Sequence, residues 1–223
     1  MKIAQKSKIF VASLAAAAVL AGCPAALAVS PAGYSVPSEI EQTNAAEDEQ
    51  VQAIKAAAAK VKVSYDAVQQ AWMFTSPFAD VSDSKGICST TPFVFIFDGS
   101  PSVFLDIDFT YYGSERIPLE TVYVRAGDTL YTFECQNDYT SFDYSSSKKM
   151  WSALSNFSML DDQVDWLRDM LSQDPVIVRF YGVDGSQHDY TWTAEDRQAI
   201  TDMINLYDLL KAASPEVRAK ALS

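Results

Sequence analysis

Apolar side chains recur at every third or fourth residue after position 47, which is the spacing of one face of an α-helix. The positions are Val51, Ile54, Ala58, Val61, Tyr65, Val68 and Trp72. The preceding acidic run, Glu47 to Glu49, suits the positive end of a helix. We therefore predict a helix that packs on the rest of the domain. The alternatives are a coiled-coil seam between two molecules, or a break at Val61 to Val63 with Ser64 capping a second helix.

The apolar pattern changes to strict alternation between Pro92 and Tyr144, which is typical of strands with one buried face. The clearest segment alternates Leu105, Ile107, Phe109 and Tyr111 with Asp106, Asp108 and Thr110. Further on, Gly127-Asp128 predicts a hairpin turn that pairs Val124 with Tyr131. The same register pairs Val122 with Phe133, and it points Cys135 inward.

The last third of the chain predicts a helix, a hairpin and another helix. The first helix starts near Ser158, which caps it together with Asp161, and it ends at Asp174-Pro175. The hairpin joins residues 176–181 to 187–192. If Gly185 is left-handed in a three-residue loop, Val176, Val178, Phe180, His188, Tyr190 and Trp192 share one face. Arg179 then lies opposite Asp189 on the other face.

A capping box opens the last predicted helix, because Thr193 precedes Asp196 by three residues. The apolar face of this helix continues to Leu210. Helices and antiparallel hairpins in one chain predict an α+β fold, in which an antiparallel β-sheet or sandwich carries packed helices.

The first 22 residues have the layout of a secretory signal peptide, with Lys2, Lys6 and Lys8 ahead of an apolar run from Ile9 to Ala21. That run is too short to span a bilayer. Leu20-Ala21-Gly22-Cys23 resembles the lipobox of bacterial lipoproteins. The resemblance implies cleavage before Cys23, a diacylglycerol on its sulfur, and membrane anchoring by the acyl chains. The competing site is Ala26-Leu27-Ala28, which gives a mature start at Val29.

These patterns divide the chain into four parts. Residues 1–22 are the signal peptide, 23–46 a flexible tether poor in large apolar residues, 47–214 a single globular domain with an N-terminal helix, and 215–223 a C-terminal tail. We expect an exported protein that is anchored to a membrane and faces the periplasm or the exterior, or that is otherwise secreted.

Composition adds a cysteine pair and a strong negative charge to this description. Cys88 and Cys135 are the cysteines left beside Cys23, and two thiols in an oxidising compartment predict a disulfide between them. From Cys23 onward the chain has 14 basic and 29 acidic residues, a net charge of about −15. That charge repels nucleic acid and favours basic partners.

Motifs for catalysis are scarce. His188 is the single histidine, so any histidine-dependent triad or zinc site would need it, and its predicted place on a core-facing strand favours a structural role. No cofactor motif or metal-ligand spacing occurs, so we predict no cofactor and no metal. Asp106 and Asp108 share a strand face and could bind a hard cation or act as an acid and base. We expect instead that this face is solvated.

Aromatic residues make up 12% of the chain, and several fall on predicted loops or outer faces. We predict a possible binding surface at Tyr139, Phe142, Tyr144 and Tyr181, since exposed rings anchor partners or stack on sugars.

The sequence thus favours a non-catalytic binding or structural module of the bacterial cell envelope. Its expected partners are the membrane, through the N-terminal lipid, and an envelope protein or glycan. The alternatives are an extracytoplasmic hydrolase that uses acidic residues or His188, and a carrier of a small ligand in an internal pocket.

Overall fold

The fold was obtained as a computed structural model, which describes residues 39–135 and 140–223. For residues 39–44, 80 and 82–84 only the backbone is described. The predicted signal peptide, Cys23 and Tyr139 lie outside the described residues, as does the tether up to residue 38.

The described residues form an α+β structure, as predicted. The helices are α1 (Glu39–Ala58), α2 (Pro77–Lys85), α3 (Asp161–Leu171), α4 (Ala194–Ala212) and α5 (Pro215–Leu222). The strands are β1 (Lys62–Asp66), β2 (Ala71–Thr75), β3 (Ser89–Phe97), β4 (Phe104–Gly113), β5 (Leu119–Ala126), β6 (Thr129–Glu134), β7 (Thr140–Ser145), β8 (Met150–Ser158), β9 (Val176–Gly182) and β10 (Gln187–Thr191).

The strands form two antiparallel sheets that share one core. The larger sheet has the order β1-β2-β3-β4-β8-β7 and the smaller has the order β10-β9-β5-β6. Rings join the sheets across the core: Phe109 lies 4.9 Å from Phe133, and Tyr111 lies 5.6 Å from Phe180, between ring centroids. Helices α1 and α4 bury apolar residues in the same core. One face of the larger sheet is therefore the inner face, and the other is its outer face.

Both predicted hairpins are confirmed in register. Val124 pairs with Tyr131 across the turn at Gly127. Arg179 pairs with Asp189, and Gly185 is left-handed with φ of 82°. Because side chains alternate along a strand, this register places Val176, Val178 and Phe180 in the core. The turn chemistry was sufficient here to fix which side chains face inward.

Helices α3 and α4 occur where the sequence predicts them, with one difference in capping. At α4 the Thr193 hydroxyl accepts from the Asp196 backbone N–H, and Asp196 Oδ2 accepts from the Thr193 backbone N–H at 2.8 Å. Helix α3 starts at Asp161, and Ser158 ends β8 instead of capping the helix. The Gln163 side chain accepts from the Leu160 N–H there.

The long N-terminal helix predicted to reach Trp72 is wrong beyond Ala58. The chain turns at residues 59–61 and forms the hairpin of β1 and β2, so neither the continued helix nor a second helix capped by Ser64 is present. Trp72 and Phe74 face the inner side of the sheet as strand residues. Pairing of β2 with β3 outweighs the helical spacing of this segment. At the other end, α1 begins at Glu39, inside the predicted tether.

Within the predicted tail of residues 215–223, Pro215–Leu222 form α5, which packs on α1. Arg218 is 4% exposed and donates to three backbone carbonyl oxygens, those of Leu210 at 2.6 Å, Ser100 at 2.9 Å and Pro101 at 3.1 Å. Burial lowers the pKa of Arg218. None of the helices in the described ranges combines the length and the apolar character needed to cross a bilayer.

Candidate binding surface

The structure separates the aromatic residues that the sequence groups into one binding surface. Phe142 and Tyr144 share one side of the edge strand β7, and both are about half exposed. Arg116 lies over the Phe142 ring at 5.5 Å, and Tyr144 packs against Trp151. Tyr181 belongs to the smaller sheet, where its ring lies 6.1 Å from Tyr123. These residues therefore occupy two separate places.

Cys88 and Cys135 are separate thiols in the structure, which differs from the predicted disulfide. Cys88 Sγ is bonded to the backbone of Tyr112, accepting from its N–H at 3.3 Å and donating to its carbonyl oxygen at 3.4 Å. Cys135 hydrogen-bonds to Ser155, and burial raises the pKa of both thiols. A bridge would require both side chains to leave these partners, so the disulfide stays a prediction.

His188 lies on β10 of the smaller sheet, and its ring faces Tyr111 of the larger sheet, as the predicted register requires. Its ring is partly buried and packs edge-on against Tyr111, with ring centroids 5.2 Å apart. Nearby, Thr90 Oγ1 hydrogen-bonds to the Tyr190 hydroxyl and accepts from Trp192 Nε1, while its backbone N–H donates to Asp196. These bonds tie β3 to β10 and to the start of α4. The polar groups of this region therefore have structural roles.

An exposed apolar surface lies on the outer face of the larger sheet. We call it the phenylalanine face. Its members are Met73, Phe93, Phe95, Phe97 and Phe104. Along β3 these rings alternate with Val94 and Ile96, which are buried in the core. Met73, Phe97 and Phe104 are 43%, 40% and 39% exposed. Strand β3 is therefore apolar on both sides. One side packs in the core, and the other forms the phenylalanine face.

The rings of the phenylalanine face touch one another in a continuous cluster. Phe95 stacks on Phe104 with centroids 4.8 Å apart, and both contact Phe97, at 5.9 and 6.2 Å. Phe93 continues the row at 6.4 Å from Phe95. Offset and edge-on contacts of this kind stabilise an arrangement beyond the area it buries. The cluster presents one ordered apolar surface.

A groove borders the phenylalanine face on the side of β1. Its volume is about 590 Å³, and Met73, Phe95 and Phe97 form its apolar wall. Ser64 and Asp66 line the opposite side. The groove thus combines an aromatic wall with a polar rim.

Asp106 lies at the other border of the face and is buried, contrary to the solvated strand face that we expected. It pairs with Phe93 on β3 and with Ser158 on β8, and it is 7% exposed. Burial is the largest influence on this carboxyl and raises its pKa, while hydrogen bonds with Ser158 and Asn156 lower it. Its Oδ1 atom has no hydrogen-bond partner among the described residues.

Asp108 has the same orientation two residues further along β4 but a different environment. Asn156 Nδ2 donates to its Oδ1 at 2.9 Å. The two aspartates of the D-x-D pattern are therefore on one face, as predicted. Among the described residues no cluster of three or more His, Cys, Asp or Glu side chains is suited to hold a metal ion.

A second opening, which we call the acidic cleft, begins at Phe104 and Asp106 and has a volume of about 750 Å³. Leu160, 67% exposed, contributes an apolar wall. The charged lining consists of the carboxylates of Asp106, Asp161 and Asp162 and the ammonium of Lys211. Lys211 is bonded to Asp161, and this contact lowers the pKa of the Asp161 carboxyl. Carboxylates exceed cations in the cleft.

The outer face of the smaller sheet has a groove of about 350 Å³ beside Tyr123, Arg125 and Arg179. Arg179 is held by Asp189 through two hydrogen bonds of 2.6 and 2.7 Å. The Arg179–Asp189 ion pair neutralises one of the two arginines that line this groove. The groove therefore offers fewer uncompensated charges than the border of the phenylalanine face.

Comparison with known families, with curated proteins and with solved structures gives no match. The geometry of the chain itself is therefore the basis for any function assigned to it. Sequence reasoning missed the phenylalanine face, although residues 93–97 contain its signal. Aromatic residues at 93, 95 and 97 alternate there with aliphatic residues at 94 and 96. A segment of this kind looks uniformly apolar and suggests a strand buried on both sides.

Proposed function

We propose that this protein is an exported, lipid-anchored module of the bacterial cell envelope that binds a partner protein through the phenylalanine face. The observation that supports it most directly is the exposed, contiguous ring cluster of β3 and β4. Soluble proteins seldom expose large apolar patches unless these contact another molecule. The inner face of the same sheet already supplies the core, so the outer rings are available for binding.

The charge around the face favours a partner with basic groups. Asp66 borders it on one side and Asp106 on the other, and the chain as a whole is strongly acidic. A negative field attracts positively charged partners and repels nucleic acid. The occupant that fits is therefore a protein segment that has both apolar and basic side chains. Oligosaccharides and lipids are outcomes that the experiment below distinguishes.

The anchor part of the proposal depends on Cys23. Cleavage before Cys23 and acylation of its sulfur would attach the domain to a membrane surface, since each buried methylene contributes about 0.8 kcal/mol. Mass spectrometry of the mature N-terminus from bacterial cells tests this. We expect a diacylglyceryl cysteine at position 23. An unmodified N-terminus at Val29 would contradict the anchor and leave a secreted module.

Photocrosslinking in intact cells tests the binding surface. We place benzoylphenylalanine at position 97, whose ring is exposed, and at position 130 as the matched control. Leu130 is 50% exposed but belongs to β6 of the other sheet. We expect a reproducible protein adduct from position 97 alone, attached to a peptide with apolar and basic residues. The adduct should disappear when Phe95→Ser is added and the protein level is unchanged.

Three results would contradict the proposal. They are the absence of any adduct from position 97, the same adducts from both positions, and adducts to lipid or glycan alone. The first two remove the phenylalanine face as a specific binding surface. The third replaces the protein partner by another class of ligand.

A further inference from the structure

The unpartnered oxygen of Asp106 needs an explanation. The residue is more than nine-tenths buried, and Oδ1 accepts no hydrogen bond from any described group. Removing a carboxylate from water without a full set of partners costs free energy, and native structures rarely leave such an atom unsatisfied. The neighbouring Asp108 shows that this sheet face can supply a donor, because Asn156 bonds to it.

The surroundings of Asp106 indicate which group could donate a hydrogen bond to its unpartnered oxygen. Phe93 lies directly across on β3, Phe104 is two residues away on the same face, and the acidic cleft is lined by Phe104 and Asp106 themselves. The carboxylate therefore lies at the meeting point of the phenylalanine face and the cleft. Rotation of the Asp106 side chain about its Cα–Cβ bond would turn the unpartnered oxygen toward the cleft, whose lining includes this residue.

The rings and the carboxylate around Asp106 match one kind of side chain. An arginine has an apolar stem that packs on rings and a planar cationic head that donates hydrogen bonds. The guanidinium is also attracted to aromatic faces. The chain contains such a contact elsewhere, where Arg116 lies over Phe142 at 5.5 Å. The excess of carboxylates in the cleft adds electrostatic attraction.

Other occupants fit less well. A calcium ion takes six to eight oxygen ligands, and the described residues offer no cluster of the kind that binds a metal. A sugar needs both donors and acceptors in its site, whereas the unsatisfied group here is a single acceptor.

We propose that Asp106 receives an arginine side chain of the partner protein, with the arginine stem on the rings of Phe93 and Phe104 and its guanidinium donating to the carboxylate. This assignment rests on the proposed function, because it names the chemistry by which the phenylalanine face recognises its partner. It makes Asp106 the group that selects a basic segment over a purely apolar one.

An NMR titration of the isotopically labelled full chain in mild detergent tests the assignment. The probe is Nα-acetyl-arginine methylamide at millimolar concentration, and the neutral citrulline analogue of the same shape is the reference. We expect shifts confined to amides near Phe93, Phe104 and Asp106 with the arginine probe, and none with citrulline. In Asp106→Asn the affinity should fall by about ten-fold, which is the loss of one charge-assisted contact.

Asp108→Asn is the matched control, because it removes a carboxylate from the same strand and face and should retain the arginine response. Equal shifts from both probes, an unchanged response in Asp106→Asn, or shifts elsewhere in the chain would overturn the assignment. So would a response at Asp106 to calcium or N-acetylglucosamine instead of arginine. If these failures occur while position 97 still gives its protein adduct, only the arginine assignment falls. If both experiments fail, the proposed function falls with it.

Discussion

At the scale of single residues, the ionisation of Asp106 links pH to stability. Its pKa is raised, so the folded protein holds this proton more tightly than the unfolded chain does. Stability therefore falls as pH rises from the ordinary aspartate pKa to the raised value. Asp106→Asn removes this loss, and we expect the variant to be more stable than the parent at pH 7 by about 1 kcal/mol.

Urea unfolding of the parent and of Asp106→Asn across a pH series measures this effect. The pH-dependent part of the difference should vanish below the ordinary aspartate pKa, where the Asp106 carboxyl of the parent is protonated in both the folded and the unfolded state. A variant that is less stable at pH 7, or a difference independent of pH, would show that Asp106 is satisfied in the free protein. If Asp106→Asn is more stable than the parent and no longer binds arginine, the Asp106 carboxyl serves binding and not stability.

Asp196 is the opposite case, a buried aspartate whose two carboxylate oxygens both accept hydrogen bonds. It is 5% exposed and accepts hydrogen bonds from Thr90 and Thr193. Asp196→Ala leaves buried backbone donors without partners and removes a helix cap, so we expect a loss of about 3 kcal/mol in unfolding free energy. Asp208 also belongs to α4, and Asp208→Ala, which breaks its exposed ion pair with Arg168 of α3, should cost less than about 1 kcal/mol. Similar losses in both variants would contradict this role.

The sequence distinguishes these aspartates only in part. The role of Asp196 was predicted, because its partner Thr193 is three residues away and the capping box is a local pattern. The burial of Asp106 was not, because it depends on Phe93 and Ser158, which reach it through strand pairing. Local contacts can be inferred from spacing, whereas contacts across a sheet require the order of its strands.

At the scale of elements, the two hairpins and the segment after α1 show the same limit. The register of β9 and β10 follows from Gly185 and from the requirement that apolar residues share a face. Residues 61–72 have helical apolar spacing, yet they form β1 and β2 because β3 offers an edge to pair with. That edge is formed by residues 89–97, so no pattern within 61–72 reveals it.

Strand β3 also allows a test of whether the phenylalanine face serves folding. Ile96 and Phe97 are neighbours on opposite faces, with 4% and 40% exposure. Ile96→Ser puts a small polar group into the core and should cost about 4 kcal/mol in unfolding free energy. Phe97→Ser loses a partly exposed ring and should cost about 1 kcal/mol. Chemical denaturation of the two variants gives the comparison, and equal losses would mean that the outer rings are part of the folding core.

At the scale of the whole molecule, both ends of the described domain meet on the inner side of the larger sheet. Helix α5 packs on α1, and Lys220 pairs with Asp48 between them. The sequence analysis predicts a tail at 215–223, and eight residues are in fact too few for a stable isolated helix. What holds α5 is Arg218, whose carbonyl acceptors Ser100 and Pro101 lie more than a hundred residues away.

Because Arg218 joins α5 to the end of α4 and to the loop of residues 98–103, we expect the stability of the whole domain to depend on it. Arg218→Met keeps an apolar stem of similar length but removes the hydrogen bonds that the guanidinium donates to three carbonyl groups, among them one at the C-terminal end of α4. We expect a loss of about 3 kcal/mol in unfolding free energy. Hydrogen exchange should quicken in α5 and in the loop of residues 98–103, since both are joined through this side chain. Lys220→Met, on the same helix but in an exposed ion pair, should leave stability and exchange nearly unchanged. If Arg218→Met instead unfolds like the parent, packing of α5 on α1 alone closes the domain, and the buried guanidinium has no structural role.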